Sequence, residues 1–398
     1  MNIVHFTYGR VNPVSANGVN YVILNLSRAL RSAGHDVRVV SFSRKDTTPT
    51  TLDRDGLPVE VYPDPMSGSL RGLTAIVERL ETLRRRGELD VLHLHLAWHI
   101  HKVPIVRWAL RSGVPYTVTT HCGYTQDRIA HHGWRKKLAL ATWETWTLNN
   151  ASAVHVICKE EATDLRRLGV SAPLFQIYNG VDVESLPTQL DEMSLKRELS
   201  LPRDAVVGAF VGRLAPEKNV DGLVRALGLL RQRGHHDVHF ALIGPYDQPT
   251  HDLLSSIARA DDTVDRLHLL GARYGRAKYE ALVGADFYVH PAWSDVVSIA
   301  VLEALALGLP TVVTRTSYVS YLYNTGAFVM AEPYPQELAL GIAALLSRRS
   351  DWAQLGETSR QLIMSEFSWN AIAQRMADAY AALAEGRPPV QASSIEDR

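Results

Sequence analysis

The sequence predicts an α/β protein built from two doubly wound, mostly parallel sheets, and three observations carry that expectation. Short β-rich runs alternate with segments of helical period through the first half. The alternation starts again after an irregular stretch, "NGVDVESLPTQLDEM", at residues 179–193. The chain has 398 residues, with 46% hydrophobic and 21% charged content, which is enough for two cores.

Taken in order, "NIVHF" reads as a strand and "VNYVILNLSRALRSAG" as a helix. Val19, Val22, Ile23, Leu26, Leu30 and Ala33 mark its apolar face and Gly34 its stop. Then follow "DVRVVSF", "VEVY", a helix near 70–86, "VLHLH", "YTVTTH", a helix near 134–149 and "AVHVI". Repeated βα order implies a mostly parallel sheet with helices on both faces. The second half repeats the pattern with "AVVGAFVG", a helix over 218–233, "VHFALIG", "RLHLLG" and "DFYVHP". A helix then opens at Ser298, a good N-cap residue, and is closed by Gly308 and Pro310 before the strand "TVVT". The boundaries expected are 1–180 and 181–368, a helix at 369–385 crossing back to the first domain, and a loose tail at 386–398. Ligands of such sheets sit beyond the carboxyl ends of the strands, so the cleft between two facing domains is the expected active site.

Lys plus Arg and Asp plus Glu both total 42, so no global field draws the chain to nucleic acid or to an anionic membrane. The two cysteines, Cys122 and Cys158, form no C-x-x-C pair and suit a reducing compartment. No run approaches the roughly 18 apolar residues of a spanning helix, and a cytoplasmic location is expected. Oligomeric state is not legible.

Arg213 and Lys218 leave the end of "AVVGAFVG" and approach a helix start, a geometry suited to a diphosphate. A Walker loop and a G-x-G-x-x-G after the first strand are both missing, which argues against nucleotide triphosphatases and nicotinamide dehydrogenases. The helix start at Ser298 attracts anions, yet Asp295 precedes it and Glu303 lies one turn inside it. In "HLHLAWHIH", His95 and His99 could meet on one helical turn as metal ligands, but no Cys or Glu completes a site, and no metal is expected. "HHGWRKKLALATWETWTL" combines Trp134, Trp143 and Trp146 with Arg135, Lys136 and Lys137. Its apolar residues form no clean stripe, so a packed helix is preferred and peripheral contact with the inner membrane face is the second reading.

"VGRLAPEKNVDGLVRAL", "IYNGVD", "LIG", "LLG" and "HPAWSDVVSIAVLEALALGLPTVVT", in that order, resemble the donor-binding domain of glycosyltransferase family 4, the retaining enzymes of the GT-B fold. "SANGVNYVILNLSRALRSAGHDVRVV" and "VLHLH…TVTTH" resemble its acceptor domain. The resemblance implies two Rossmann-like domains facing across a cleft, and a sugar moved from a UDP- or GDP-linked donor to an acceptor hydroxyl with retention. It assigns Arg213, Lys218 and the helix-start residues Ser298, Ile299, Ala300, Val301 and Leu302 to the diphosphate, with Gly18 and Gly244 nearby. It gives Asp295 the sugar hydroxyls, Glu303 the ribose hydroxyls, and His121 a place beside the transferred sugar. Arg273 and Tyr274 are candidates for the base site, and Asn17, His95 and Tyr124 for the acceptor. In this chain Asp295 stands where the family usually has Glu, and Val296, Val297 and Ser298 where it has Gly-Phe-Gly.

The expected role is in bacterial cell-surface polysaccharide or glycoconjugate synthesis, on a sugar, lipid-linked or small-molecule acceptor, without a cofactor. The alternatives are a natural-product glycosyltransferase, a phosphorylase or epimerase on the same scaffold, and a catalytically silent sugar-nucleotide-binding partner.

Overall fold

β-branched and aromatic runs become strands because most are buried on both faces, and the helical segments between them cover those faces. A computed structural model describes residues 1–12, 18–65, 71–125, 129, 133–184, 186–187, 191–295, 298–317, 322, 325–326 and 328–390. Asn17, Val296 and Val297 lie outside the described residues, as do parts of the loops at 10–18, 62–72 and 122–133.

The chain divides into two units. One comprises Met1–Gly180 and is completed by the helix Trp369–Ala384; the other comprises Val181–Ser368. Among the described residues the first holds strands β1 (Asn2–Tyr8), β2 (Asp36–Ser43), β3 (Thr50–Arg54), β4 (Leu57–Pro63), β5 (Val91–Leu94), β6 (Tyr116–Thr119), β7 (Ala153–Val156) and β8 (Leu174–Gln176). Their order is β3-β4-β2-β1-β5-β6-β7-β8. All neighbours are parallel except β3 with β4, an edge hairpin of which the sequence marks only β4, as "VEVY". The second unit holds β9 (Val206–Val211), β10 (Val238–Ile243), β11 (Leu267–Gly271), β12 (Phe287–His290), β13 (Thr311–Thr314) and β14 (Val329–Ala331). These run parallel in the order β11-β10-β9-β12-β13-β14. Strand order reverses between β1 and β5 and again between β9 and β12, so each sheet has a switch point with a crevice at its carboxyl end.

The single helix expected near 134–149 is a helix over Gly133–Ala139, a π turn over Leu140–Glu144 and a helix over Thr145–Asn149. The wider turn carries Glu144 into the core, where it meets Lys102 Nζ at 2.5 Å and accepts from the Tyr124 hydroxyl. Both charged side chains of this pair are fully buried, so each depends on the other to offset its lost hydration. Trp146 packs on the first unit's core, whereas Trp134 is exposed. No helix among the described residues is long and apolar enough to cross a membrane.

The two faces of the first sheet differ in chemistry. Val4, Phe6, Leu92, Leu94, Val118 and Val154 join one apolar core. Alternate residues of the same strands, His5, His93, His95, Thr119 and His155, are buried on the opposite face. Tyr380 of the helix Trp369–Ala384 meets His93 Nδ1 at 2.6 Å.

The turn after β6 is held by a side chain that no motif suggests. His121 and Cys122 have φ of 48° and 52°, left-handed values that cost a residue with a Cβ. Buried Glu161 accepts from the Thr120 hydroxyl and from Cys122 N at 2.5 Å with one oxygen, and from Ile157 N at 2.8 Å with the other. Burial raises its carboxyl, and these donors pull it only partly back. In Glu161→Gln the amide NH₂ would face one of these donors. The expected loss is about 2–4 kcal/mol of stability by denaturant titration, and a loss below about 0.5 kcal/mol would remove Glu161 as the clamp.

Acid should weaken the same region. Burial pushes His5 from 6.5 down to about 3 and His155 to about 4, and with neighbouring imidazoles holds His93 and His95 well below the usual value. Their folded values lie below the unfolded one, so the unfolded chain binds the extra protons. The stability from neutral burial is therefore complete above about pH 6.5 and is lost as pH falls toward the folded values. Calorimetry at pH 7, 6 and 5 should show a steep fall in midpoint, and a flat profile would contradict a buried neutral cluster.

Candidate active site

In the second unit, the carboxyl ends of β9 and β12 lie side by side at the switch point and carry most of the predicted donor-side residues. After β9 the chain turns through Pro216–Lys218 into the helix Val220–Gln232, with Asn219 left-handed at φ 54°. Asn219 is buried and donates to the carbonyls of Pro291 at 2.9 Å and Pro333 at 2.6 Å, tying this turn to the segment after β12. Trp293 N also donates to Glu217 O at 3.0 Å. These bonds bring Lys218 and Asp295 together although 77 positions separate them.

Lys218 Nζ lies 2.5 Å from Asp295 Oδ2, and His290 Nε2 lies 2.8 Å from the same oxygen. Burial pushes the Asp295 carboxyl up. The hydrogen bond and charge of His290, with those of Lys218, overcome that effect and hold the carboxyl well below the carboxylate range. Burial lowers His290, and Asp295 offsets part of the fall. Arg213 behaves differently: it is largely exposed and pairs with Glu217 at 3.1 Å, an interaction of little worth in water.

Glu303 is buried one turn inside the helix Ile299–Ala306. Its Oε1 accepts from Lys278 Nζ at 2.6 Å and from the Tyr279 hydroxyl at 3.2 Å, both on the helix Gly275–Val283. Its Oε2 accepts no bond from the described residues.

The helix start differs in detail from the expectation. Ser298 occupies the N-cap position, but its side chain makes no capping bond. Its carbonyl accepts from Val301 N at 3.0 Å and Leu302 N at 3.3 Å, so those two amides are already engaged. The amides of Ile299 and Ala300 precede any intrahelical acceptor and remain the anion-seeking pair.

Gly244 ends β10, where a Cβ would stand 1.7 Å from the Gly212 carbonyl oxygen, so the close approach of two strand ends demands glycine there. Gly18 is exposed at its helix start, with open space around it. Arg273 makes a two-point pair with Glu198 at 2.5 and 3.1 Å, and Tyr274 is exposed.

In the first unit, a cavity of ≈ 320 Å³ opens at the carboxyl ends of β1, β5 and β6. Tyr8, Asn20, Trp98, His99, His121 and Lys136 are among its lining residues. His95 borders it too, but both its ring nitrogens are engaged, with His5 Nδ1 at 2.8 Å and His121 Nε2 at 3.1 Å. Tyr124, expected at the acceptor, is instead buried with its hydroxyl donated to Glu144, because the π turn presents that acid in the core. His99 stacks on Tyr8, with ring centroids 4.7 Å apart, rather than forming a pair with His95. His5, His93 and His95 do come within metal-ligand spacing. Five of their six ring nitrogens already make hydrogen bonds, and no carboxylate joins them to offset a buried cation.

Sequence reasoning missed His290, Asn219, Lys278 and Tyr279, which act on the expected residues rather than in their place. His290 had a faint signal as the last residue of the strand "DFYVHP"; the others have none, because their partners are distant in sequence.

Two families of known proteins match the two halves of the chain. The family described as "Glycosyltransferase Family 4" matches residues 16–185, and "Glycosyl transferases group 1" matches residues 191–362. The chain is 26% identical to D-inositol 3-phosphate glycosyltransferase 2 of Catenulispora acidiphila, over 92% of this chain and 90% of that one. It is 27% identical to the GDP-mannose-dependent alpha-mannosyltransferase of Mycobacterium tuberculosis, over 95% and 96%. Anabaena Alr3699/HepE, solved in complex with UDP, superposes with a TM-score of 0.75 at 19% identity, over 96% of this chain and all (100%) of that one. Matched in both halves by these families and carrying their two-sheet architecture, the chain belongs to glycosyltransferase family 4 and is a glycosyltransferase of the GT-B fold.

Proposed function

We propose that this enzyme transfers a sugar from a nucleotide diphosphate donor to an acceptor hydroxyl with retention at the anomeric carbon. The observation that carries the reading is the cluster at the carboxyl ends of β9 and β12, where Lys218, Asp295 and His290 stand at the strand-order reversal. Relatives named for transfer from GDP-mannose and to inositol phosphate, and a neighbour solved with UDP, support a nucleotide-sugar donor. A UDP- or GDP-linked sugar is the donor class we favour, and bacterial glycoconjugate synthesis the setting.

In this reading the diphosphate rests on the amides of Ile299 and Ala300. Lys218 has three donors, so it can keep Asp295 and still reach a phosphate oxygen. Arg213 exchanges its weak bond to Glu217 for a phosphate. As the diphosphate draws Lys218, Asp295 accepts from sugar hydroxyls, and Glu303 Oε2 accepts from the ribose. A carboxylate suits both tasks, because it repels phosphate and accepts from neutral hydroxyls.

The breaking bond places negative charge on the leaving phosphate. Lys218, Arg213 and the two amides meet that charge more strongly in the transition state than in the ground state. Retention follows a front-face course in which the leaving phosphate takes the acceptor proton. The hydrolytic scheme of two carboxylates flanking the bond does not suit Asp295 and Glu303, which come from one short segment. In this reading His121, which borders the first unit's cavity, faces a hydroxyl or ring oxygen of a substrate sugar. A catalytically silent partner is the second reading, favoured only by the substitution of Asp295 for the usual Glu.

Thermal shift with UDP, GDP, ADP and TDP should single out one stabilising nucleotide. Lys218→Ala and Glu303→Ala should each weaken that response, and Lys218→Ala should lower kcat/KM about 10²- to 10³-fold. No stabilisation by any nucleotide at millimolar concentration would sink the donor-site assignment. Proton NMR of the product should show the donor's anomeric configuration preserved; an inverted linkage would refute retention while leaving sugar transfer intact.

A further inference from the structure

Two hydrogen-bonded histidine chains cross the polar face of the first sheet, and only one has its proton positions fixed by its end group. In that chain the Ile177 carbonyl can only accept, so His155 donates to it from Nε2 at 2.8 Å. His155 Nδ1 must then accept from the Thr119 hydroxyl at 2.7 Å. The Thr119 oxygen accepts from His93 Nε2 at 2.5 Å, and His93 Nδ1 accepts from the Tyr380 hydroxyl at 2.6 Å. One direction satisfies every group.

The second chain runs from His5 through His95 to His121. His5 Nδ1 meets His95 Nε2 at 2.8 Å, and His95 Nδ1 meets His121 Nε2 at 3.1 Å. Burial pushes His121 down to about 3, so all three rings are neutral at neutral pH, with one proton each. Either direction makes both bonds, and the two differ only at the ends. With protons directed toward His5, its Nε2 carries a hydrogen in a fully buried place with no acceptor. With protons directed toward His121, His5 Nε2 is a bare lone pair, and His121 keeps its own proton on Nδ1. An unmet buried N–H is the rarer and costlier orphan, which favours the second direction.

His121 Nδ1 has no partner among the described residues, and the ring borders the cavity that Tyr8, Asn20, Trp98 and Lys136 help to line. We propose that His5, acting through His95, holds His121 as the Nδ1–H tautomer, so that it offers a hydrogen-bond donor to a substrate oxygen and no lone pair. The substrate oxygen rests on the sugar-transfer reading above; the tautomer itself does not. His121 is then excluded as a general base and becomes a fixed donor to a hydroxyl or ring oxygen. His5, buried beneath it, is a positioning residue.

The test is a long-range proton–nitrogen NMR correlation on the full chain labelled with ¹⁵N-histidine, with the His121 signals assigned by their loss in His121→Gln. The expected pattern is a protonated Nδ1 and a bare Nε2, and the opposite pattern overturns the proposal without any variant. His5→Asp puts a carboxylate acceptor near the position of Nδ1, so His95 must donate to it from Nε2 and His121 should move toward the Nε2–H form. It should also lower the turnover number about tenfold while leaving the donor KM unchanged. His5→Asn, whose amide N–H falls near the position of Nδ1, should restore the Nδ1–H pattern and most of the turnover. An unchanged His121 pattern in His5→Asp would refute the positioning role. The spectra are recorded without donor or acceptor, so a failure to detect sugar transfer counts against the functional reading alone. An Nε2–H pattern in an active enzyme counts against this inference alone.

Discussion

A parallel sheet whose strand order reverses must send neighbouring connections to opposite faces, and that topological constraint opens a crevice at the carboxyl end of the reversal. Here it operates twice, between β1 and β5 and between β9 and β12. Most polar groups with a candidate chemical role sit at one of these two places, whereas Arg273 and Tyr274 follow the edge strand β11. Lys218 and Asp295 follow β9 and β12, while the lining of the first unit's cavity follows β1, β5 and β6. Loops that leave a rigid sheet side by side can meet across long sequence intervals, which gives a site of this fold its reach.

The second unit solves an electrostatic problem at its reversal. Two acids beside an anion-seeking helix start would repel a phosphate if they were left alone. The structure binds each of them to cations or neutral donors: Asp295 to Lys218 and His290, and Glu303 to Lys278 and Tyr279. Asp295 is held ionised by those partners despite its burial. In the proposed reading the acids then meet hydroxyl donors, and the anion falls to the lysine, the arginine and the two amides that have no partner among the described residues.

The first unit addresses a different cost, that of burying polar rings in a sheet face. Neutral imidazoles can be buried when each nitrogen has a complementary partner, and the chain from Ile177 to Tyr380 meets that condition at every link. The chain ending at His121 leaves one nitrogen of His5 unmatched, and its other end reaches a cavity. The strained turn carrying His121 adds a second cost, and the Glu161 carboxylate is positioned to offset it.

The alternation of strand and helix, the parallel sheets, the family, and the site candidates Arg213, Lys218, Asp295 and Glu303 were legible in the sequence, because each depends on local period or on a contiguous motif. The strand β3 with its pairing to β4 and the π turn at Leu140–Glu144 were not, since tertiary packing decides both. The same limit applies inside the sites. Sequence marks Ser298 as a cap, Tyr124 as an acceptor residue and Gly244 as a donor residue. The fold leaves the Ser298 hydroxyl without a capping bond, buries Tyr124 against Glu144 and requires Gly244 for the approach of the Gly212 carbonyl. By itself, then, the sequence determined most of the strands and which loops between them carry charge. Only the tertiary structure decided which atoms those charges meet, because hydrogen bonds between residues 25 to 287 positions apart depend on strand order and register, and neither is written in any local stretch of chain.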